Sequence, residues 1–231
     1  MDYKNSHADF SSTLMSRIFG WMSIALAVTG TVAYVLSHSH EFMEYVIEHP
    51  FVFLAIMLAQ LFLVLGMQLT FSMVSYPLLL VMFLMYAFLT GVTFSTLFWV
   101  YQASSIALVF FITAGMFLSM ALYGVVTRND LTSMGSFLGM TLWGLLLAMI
   151  ANMYFQSTVF EMILSFLGVI IFSGLTAYDV QKLKQLSEQS ISDHSLANKF
   201  TLIGAFTLYL DFINLFLFAL QLFGKKKDSQ S

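Results

Sequence analysis

Seven unbroken apolar stretches, each about as long as the 20 residues a helix needs to cross the roughly 30 Å core of a bilayer, dominate this chain of 231 residues. They run over Ile18–Leu36, Phe51–Phe71, Leu78–Val100, Ser105–Val126, Met134–Phe155, Val159–Tyr178 and Thr201–Phe223. Segments placed in lipid must satisfy every backbone N–H and C=O internally, which leaves helices or a closed barrel. Alternation of period two over strands of about 10 residues is missing, so all seven read as helices. Composition agrees: 59% hydrophobic and 9% charged residues leave too few polar side chains to cover a water-facing surface, which excludes a soluble enzyme. The polar breaks near Ser75, Gln102 and Gln156 are short, so consecutive helices are expected to be antiparallel neighbours. The expected architecture is all-α and polytopic, a seven-transmembrane-helix bundle forming one transmembrane domain over residues 1–231 in the lipid bilayer.

Orientation follows from Lys and Arg in the flanks, which concentrate on the cytoplasmic side. Lys4, Arg17, Arg128, Lys182, Lys184 and Lys199 all fall on the side of the N-terminus, while the loops after spans one, three and five carry neither residue. The N-terminus is therefore expected inside. The segment before Arg17 is polar and mixed in sign, without a cleavage pattern behind the first apolar run, so that run is expected to stay attached. Lys225, Lys226 and Lys227 would lie outside if the last segment crosses fully, against the rule, and inside if it re-enters. Its 23 residues favour a full crossing. A net charge of −3 with one short basic run argues against a nucleic-acid partner. Zero Cys removes disulfides and thiolate chemistry. Gly135 with Gly139, and Gly115 with Ser119, place small residues four apart and are expected to be helix contacts.

Ten of the 12 acidic residues sit in tails, loops or span ends. Asp211 lies about ten residues into the last span, about 15 Å deep at 1.5 Å per residue. A carboxylate there costs about 2.5 to 3.5 kcal/mol on insertion scales, so it needs a partner, water, a cation or a proton. Asp179 stands at the inner end of span six, where Lys182 at i+3 offers an ion pair. Tyr209 and Asn214 are the partners the sequence offers Asp211 for a purely structural role. If the two aspartates face each other, ionising both is costly and the pair can hold one shared proton, a proton-sensitive switch. The same oxygens, once ionised, suit Ca²⁺. Depth arithmetic sets Asp179 somewhat nearer the cytoplasm than Asp211.

Three ordered motifs carry a resemblance: Tyr178-Asp179-Val180-Gln181-Lys182 after span six, Leu208-Tyr209-Leu210-Asp211-Phe212-Ile213-Asn214-Leu215-Phe216 in span seven, and Tyr123-Gly124-Val125-Val126-Thr127-Arg128-Asn129-Asp130-Leu131 leading into Gly135-Ser136-Phe137. Together they resemble the Bax inhibitor-1 family of transmembrane proteins in its bacterial branch, over nearly the whole chain. The resemblance implies a bundle with the C-terminal helix central, an inner (plasma) membrane location, and a pH-sensitive calcium leak rather than an enzyme. It implies Asp179 and Asp211 as proton sensor and ion pathway, calcium as permeant ion, and contact with a membrane-anchored ATP-dependent protease. Tyr178, Lys182, Tyr209 and Asn214, close to the two aspartates along the chain, are the expected supporting residues. Some bacterial members carry a basic residue in span two that latches onto the aspartates, whereas this sequence has Gln60 and Gln68 there. Closure is then expected to use weaker hydrogen bonds or another partner.

Two enzyme readings compete poorly. Intramembrane aspartyl proteases also carry two membrane aspartates, but their second Asp usually follows Gly-x-Gly. Here Leu208-Tyr209-Leu210 precedes Asp211, and their Pro-Ala-Leu signature is missing. All five His lie outside the spans, which leaves a serine-type site without a base. Glycine-rich phosphate loops are missing too, against ATP-driven transport. The outer loop from His38 to His49 gathers three His with Glu41, Glu44 and Glu48, either a divalent-cation site or one solvated helical face. A regulator that docks on a membrane protease would use the cytoplasmic N-terminus and the Gln181–Lys199 loop.

Overall fold

The computed structural model describes residues 2–71, 73–188 and 194–227. Helices account for all of its regular elements: α1 (Asp2–Ser37), α2 (His40–Glu48), α3 (Pro50–Thr70), α4 (Tyr76–Ser95), α5 (Leu97–Val100), α6 (Ala103–Val126), α7 (Thr132–Phe155), α8 (Thr158–Glu188) and α9 (His194–Phe223). Seven spans are long and apolar enough to cross a membrane: Ser12–Ser37, Pro50–Thr70, Tyr76–Val100, Ala103–Val126, Thr132–Phe155, Thr158–Ser187 and Leu196–Phe223. The all-α, seven-span expectation holds, and the chain is an integral membrane protein.

The sixth and seventh spans are longer than their apolar runs. Gln181-Lys182-Leu183-Lys184-Gln185-Leu186 is polar but built from good helix formers, so α8 continues to Glu188. Asp179 therefore stands more than two turns before the end of its helix, not at a frayed terminus. The Gln181–Lys199 segment, expected as a loop, is mostly helix: the end of α8 and the start of α9, with residues 189–193 outside the described part.

The helices form two compact units, and the division falls inside α9 between Tyr209 and Leu210. The first unit comprises α1 to α5 and the start of α9. Gly91 brings α4 onto α1, since a Cβ there would stand 2.6 Å from that of Val32. Thr29 donates to the Ala87 carbonyl at 2.9 Å, so its oxygen accepts from the Tyr209 hydroxyl at 2.7 Å. Phe83 and Tyr86 meet Phe206 and Tyr209 edge-on. On the other side of α4, the Gln60 amide donates to Thr90 Oγ1 at 3.0 Å. Only 6% of the residues of the α3 span are buried, so α3 packs one face on α4 and leaves the opposite face to lipid.

Span three breaks between α4 and α5. Thr93, Ser95 and Thr96 each turn their hydroxyl onto the carbonyl three residues back, which competes with the helical ladder. The outer-loop glutamates are all exposed on α2, matching the solvated-face reading. Beyond α9, Lys227 N–H donates to the Val100 carbonyl at 2.9 Å, and Lys226 forms an isolated bridge with Tyr101. The tail thus ends beside the loop that follows span three, as full crossing requires. Reporter fusions after His40 and after Lys227 are expected to read the same side of the membrane and a fusion after Arg128 the other. Agreement of Lys227 with Arg128 would mean that the last helix re-enters.

Candidate functional site

The second unit comprises α6, α7, α8 and α9 from Leu210 onward, and it holds both aspartates. Its geometry is set by the antiparallel register of α8 against α9. The Ser165 hydroxyl lies 2.8 Å from the Gln221 side-chain carbonyl. Phe172 stacks on Phe218 with ring centroids 5.7 Å apart, and Gly168 makes room for that ring, which would meet a Cβ there at 2.5 Å. About two helical turns further along α8, and two turns back along α9, the same facing stripes carry Asp179 and Asp211. The two carboxyls lie within hydrogen-bonding reach of each other. The depth difference read from the sequence disappears, because the long helix places Asp179 inside the span.

Asp211 is only 6% exposed, and its enclosed Oδ2 accepts no hydrogen bond from a donor among the described residues. An ionised carboxylate only accepts, so the pair bonds only when one member carries a proton. The supporting residues offered by the sequence do not relieve this. Asn214 donates to the Leu210 carbonyl at 2.8 Å, and Tyr209 is taken by Thr29. The ion pair expected between Lys182 and Asp179 is not formed: the Lys182 ammonium sits over the Tyr178 ring, 5.6 Å from its centroid, and acts on Asp179 through its field. Gln60, one of the two glutamines of span two, donates to Thr90. A second enclosed oxygen, Thr113 Oγ1 on α6, also lacks a partner. It lies between Phe110 and Phe117, both of which meet the ring of Phe212, the residue after Asp211.

The Tyr123–Leu131 motif grips α8 around Asp179. Gly124 lets α6 approach so closely that a Cβ there would overlap the Ala177 carbonyl. Gly135 does the same for α7, where a Cβ would stand 2.5 Å from the Tyr178 ring. Gln181 reads the loop backbone with both ends of its amide, accepting from Leu131 N–H at 2.9 Å and donating to the Asn129 carbonyl at 2.8 Å. Lys184 donates to the Val125 carbonyl at 3.0 Å in the last turn of α6, where a cation is favoured. Asp130 closes the loop by accepting from the Thr132 N–H and hydroxyl at 2.9 and 2.6 Å, which holds its carboxyl below the ordinary value of 3.8. Of the small-residue pairs expected as contacts, only Gly135 makes one. A Cβ at Gly139 would meet nothing within 4 Å, and Gly115 and Ser119 face outward.

A family model described as "Inhibitor of apoptosis-promoting Bax1" matches residues 11–228. The chain belongs to the Bax inhibitor-1 family. Inner membrane protein YbhL of Escherichia coli (strain K12) is 41% identical over 216 residues, covering 93% of this chain and 92% of that protein. An uncharacterized protein of Borreliella burgdorferi is 39% identical over 214 residues, 93% of this chain and 92% of its own length. Uncharacterized protein RP147 of Rickettsia prowazekii is 37% identical over 214 residues, with 93% and 90% covered. In this member of the Bax inhibitor-1 family, sequence reasoning missed the parts played by Gly124, Gln181 and Lys184. A glycine inside a helix costs about 1 kcal/mol against alanine, and that cost at Gly124 was the readable sign of a close approach.

Two outcomes follow from these contacts. Gly124→Ala and Gly135→Ala are expected to lower stability by about 1 to 3 kcal/mol through overpacking. Gly139→Ala is expected to raise it by up to about 1 kcal/mol through helix propensity. Thermal unfolding in detergent separates them, and equal effects at the three positions would refute the close approaches. Asp130→Ala is expected to lower Tm above about pH 4. The lowered carboxyl stabilises the fold above its unfolded value and loses that contribution as pH falls through the folded one, so the difference should fade in acid.

Proposed function

We propose that the chain is a calcium leak of the bacterial inner membrane, gated by the proton held between Asp179 and Asp211. The observation that carries this reading is the enclosed carboxyl pair with an unpartnered Asp211 Oδ2. With one proton aboard, the pair joins α8 to α9 through a carboxyl–carboxylate hydrogen bond. Without it, two negative charges face each other in a poorly solvated place, and the helices must separate or a cation must enter. Among the described residues, Lys182 is the charged side chain nearest the pair along α8, and it is exposed.

Ca²⁺ suits such a site because it takes hard oxygen ligands in irregular geometry. It normally takes about 6 to 8 of them. The described residues contain no cluster of three or more His, Cys, Asp or Glu side chains, so two carboxylates would hold the ion weakly. Weak holding is what permeation requires, since an ion must leave as readily as it enters. The enclosure of Asp211 also speaks against aspartyl proteolysis, which needs room for a peptide and a water between the carboxyls.

Protein reconstituted into liposomes with a trapped calcium dye, assayed from about pH 5 to 8, is expected to pass Ca²⁺ down its gradient without ATP, with flux rising as the pair gives up its proton. Asp179→Asn and Asp211→Asn should each flatten the pH dependence, and the double variant should add little to either, because one shared proton is lost in every case. Flux equal to that of empty liposomes across this range would remove the leak and leave regulation of a membrane-anchored protease as the reading to pursue. Additive effects of the two substitutions would remove the shared proton.

A further inference from the structure

At the end of the second unit remote from Lys225, the loop between α6 and α7 and the last turns of α8 enclose an open recess of about 160 Å³. Its wall is polar: Thr127, Arg128, Asn129 and Asp130 from the loop, and Gln181 and Lys184 from α8. Two cations and one carboxylate give it a net positive charge. The carboxylate is already occupied, since Asp130 accepts twice from Thr132. The cations are not. Among the described residues the Arg128 guanidinium makes no hydrogen bond or ion pair, and Lys184 spends one of its three N–H groups on the Val125 carbonyl. The recess is well below the roughly 300 Å³ at which pockets begin to take drug-sized ligands, so it suits a compact anion.

Its position says where that anion comes from. The walls are the ends of membrane spans, Ala103–Val126 and Thr158–Ser187, and lipid headgroups lie at that level. It stands on the side rich in Lys and Arg, where anionic lipids attract basic groups and basic pockets between helix ends take phosphate headgroups. The geometry points to a phosphate site in this recess, with the phosphate of an anionic lipid bridging the Arg128 guanidinium and the Lys184 ammonium. A bridging phosphate ties the α6–α7 loop to α8 about one and a half turns from Asp179, adding to the grip of Gln181. Binding itself does not depend on whether the chain conducts calcium.

The test is native mass spectrometry of the full-length protein in detergent, titrated with dioleoylphosphatidylglycerol, with zwitterionic dioleoylphosphatidylcholine, and with inorganic phosphate alone. The expected result is a saturable phosphatidylglycerol adduct that Arg128→Gln weakens about tenfold, the size of one charge-assisted hydrogen bond. Arg128→Lys should keep part of it, and Lys225→Gln, at the opposite end of the unit, should leave it unchanged. Arg128 is exposed and makes no hydrogen bond or ion pair among the described residues, so its replacement tests binding without loss of folding. Arg128-dependent binding of inorganic phosphate without preference for phosphatidylglycerol would support the phosphate site and assign it a soluble anion. Equal adducts with both lipids and no phosphate binding, or a phosphatidylglycerol adduct unaffected by Arg128→Gln, would overturn the proposal.

Discussion

The second unit is built around a carboxyl buried against another carboxyl, Asp211 against Asp179, an arrangement that on the proposed reading a single proton holds together. Removing it exchanges a hydrogen bond for like-charge repulsion in surroundings where water is scarce, a change worth several kcal/mol. Few other interactions in an apolar helix bundle change sign so sharply on so small a perturbation. The other helix contacts here are ring against ring, as with Phe172 on Phe218, close approaches at glycines, and hydrogen bonds of neutral groups such as Thr29 with Tyr209 and Ser165 with Gln221, none of which carries two like charges.

The proposed switch requires that one of the two helices be held firmly at its carboxyl. α8 is the fixed one. Gly124 and Gly135 admit the backbone at Ala177 and the ring of Tyr178, while Gln181 and Lys184 bond to the loop and to the end of α6. These four contacts bracket Asp179 on both sides along the helix. α9 is buried over 72% of its most apolar stretch, and it passes from one compact unit into the other just before Asp211. Its first half is tied by Tyr209 to Thr29, so the segment that carries Asp211 begins where that anchoring ends.

Much of this was legible in the sequence because membrane insertion permits so few solutions. Seven apolar runs dictated seven helices, and a carboxylate in the middle of the last one announced an unusual site. What could not be read was rotational phase. Lys182 has the right spacing to pair with Asp179, but its stem lies along Tyr178 and takes the charge to the ring. Small-residue spacing fits Gly115 and Ser119 as well as Gly135, yet only Gly135 points at a neighbouring helix. The ends of α8 were hidden by a polar sequence of strong helix formers, which hydropathy reads as a loop. Thr113 gave no sign at all, since a threonine in a span normally bonds back to its own helix.

The most direct test of the shared proton is infrared difference spectroscopy of the carboxyl C=O stretch, recorded against pH for the reconstituted protein and for Asp179→Asn and Asp211→Asn. One protonated-carboxyl band is expected in the native protein, titrating as a single unit and shifted or lost in both variants, because each removes one half of the same hydrogen bond. A band that Asp179→Asn leaves unchanged in position and titration would show that Asp211 keeps its proton without its partner, and the carboxyl pair would no longer be the switch.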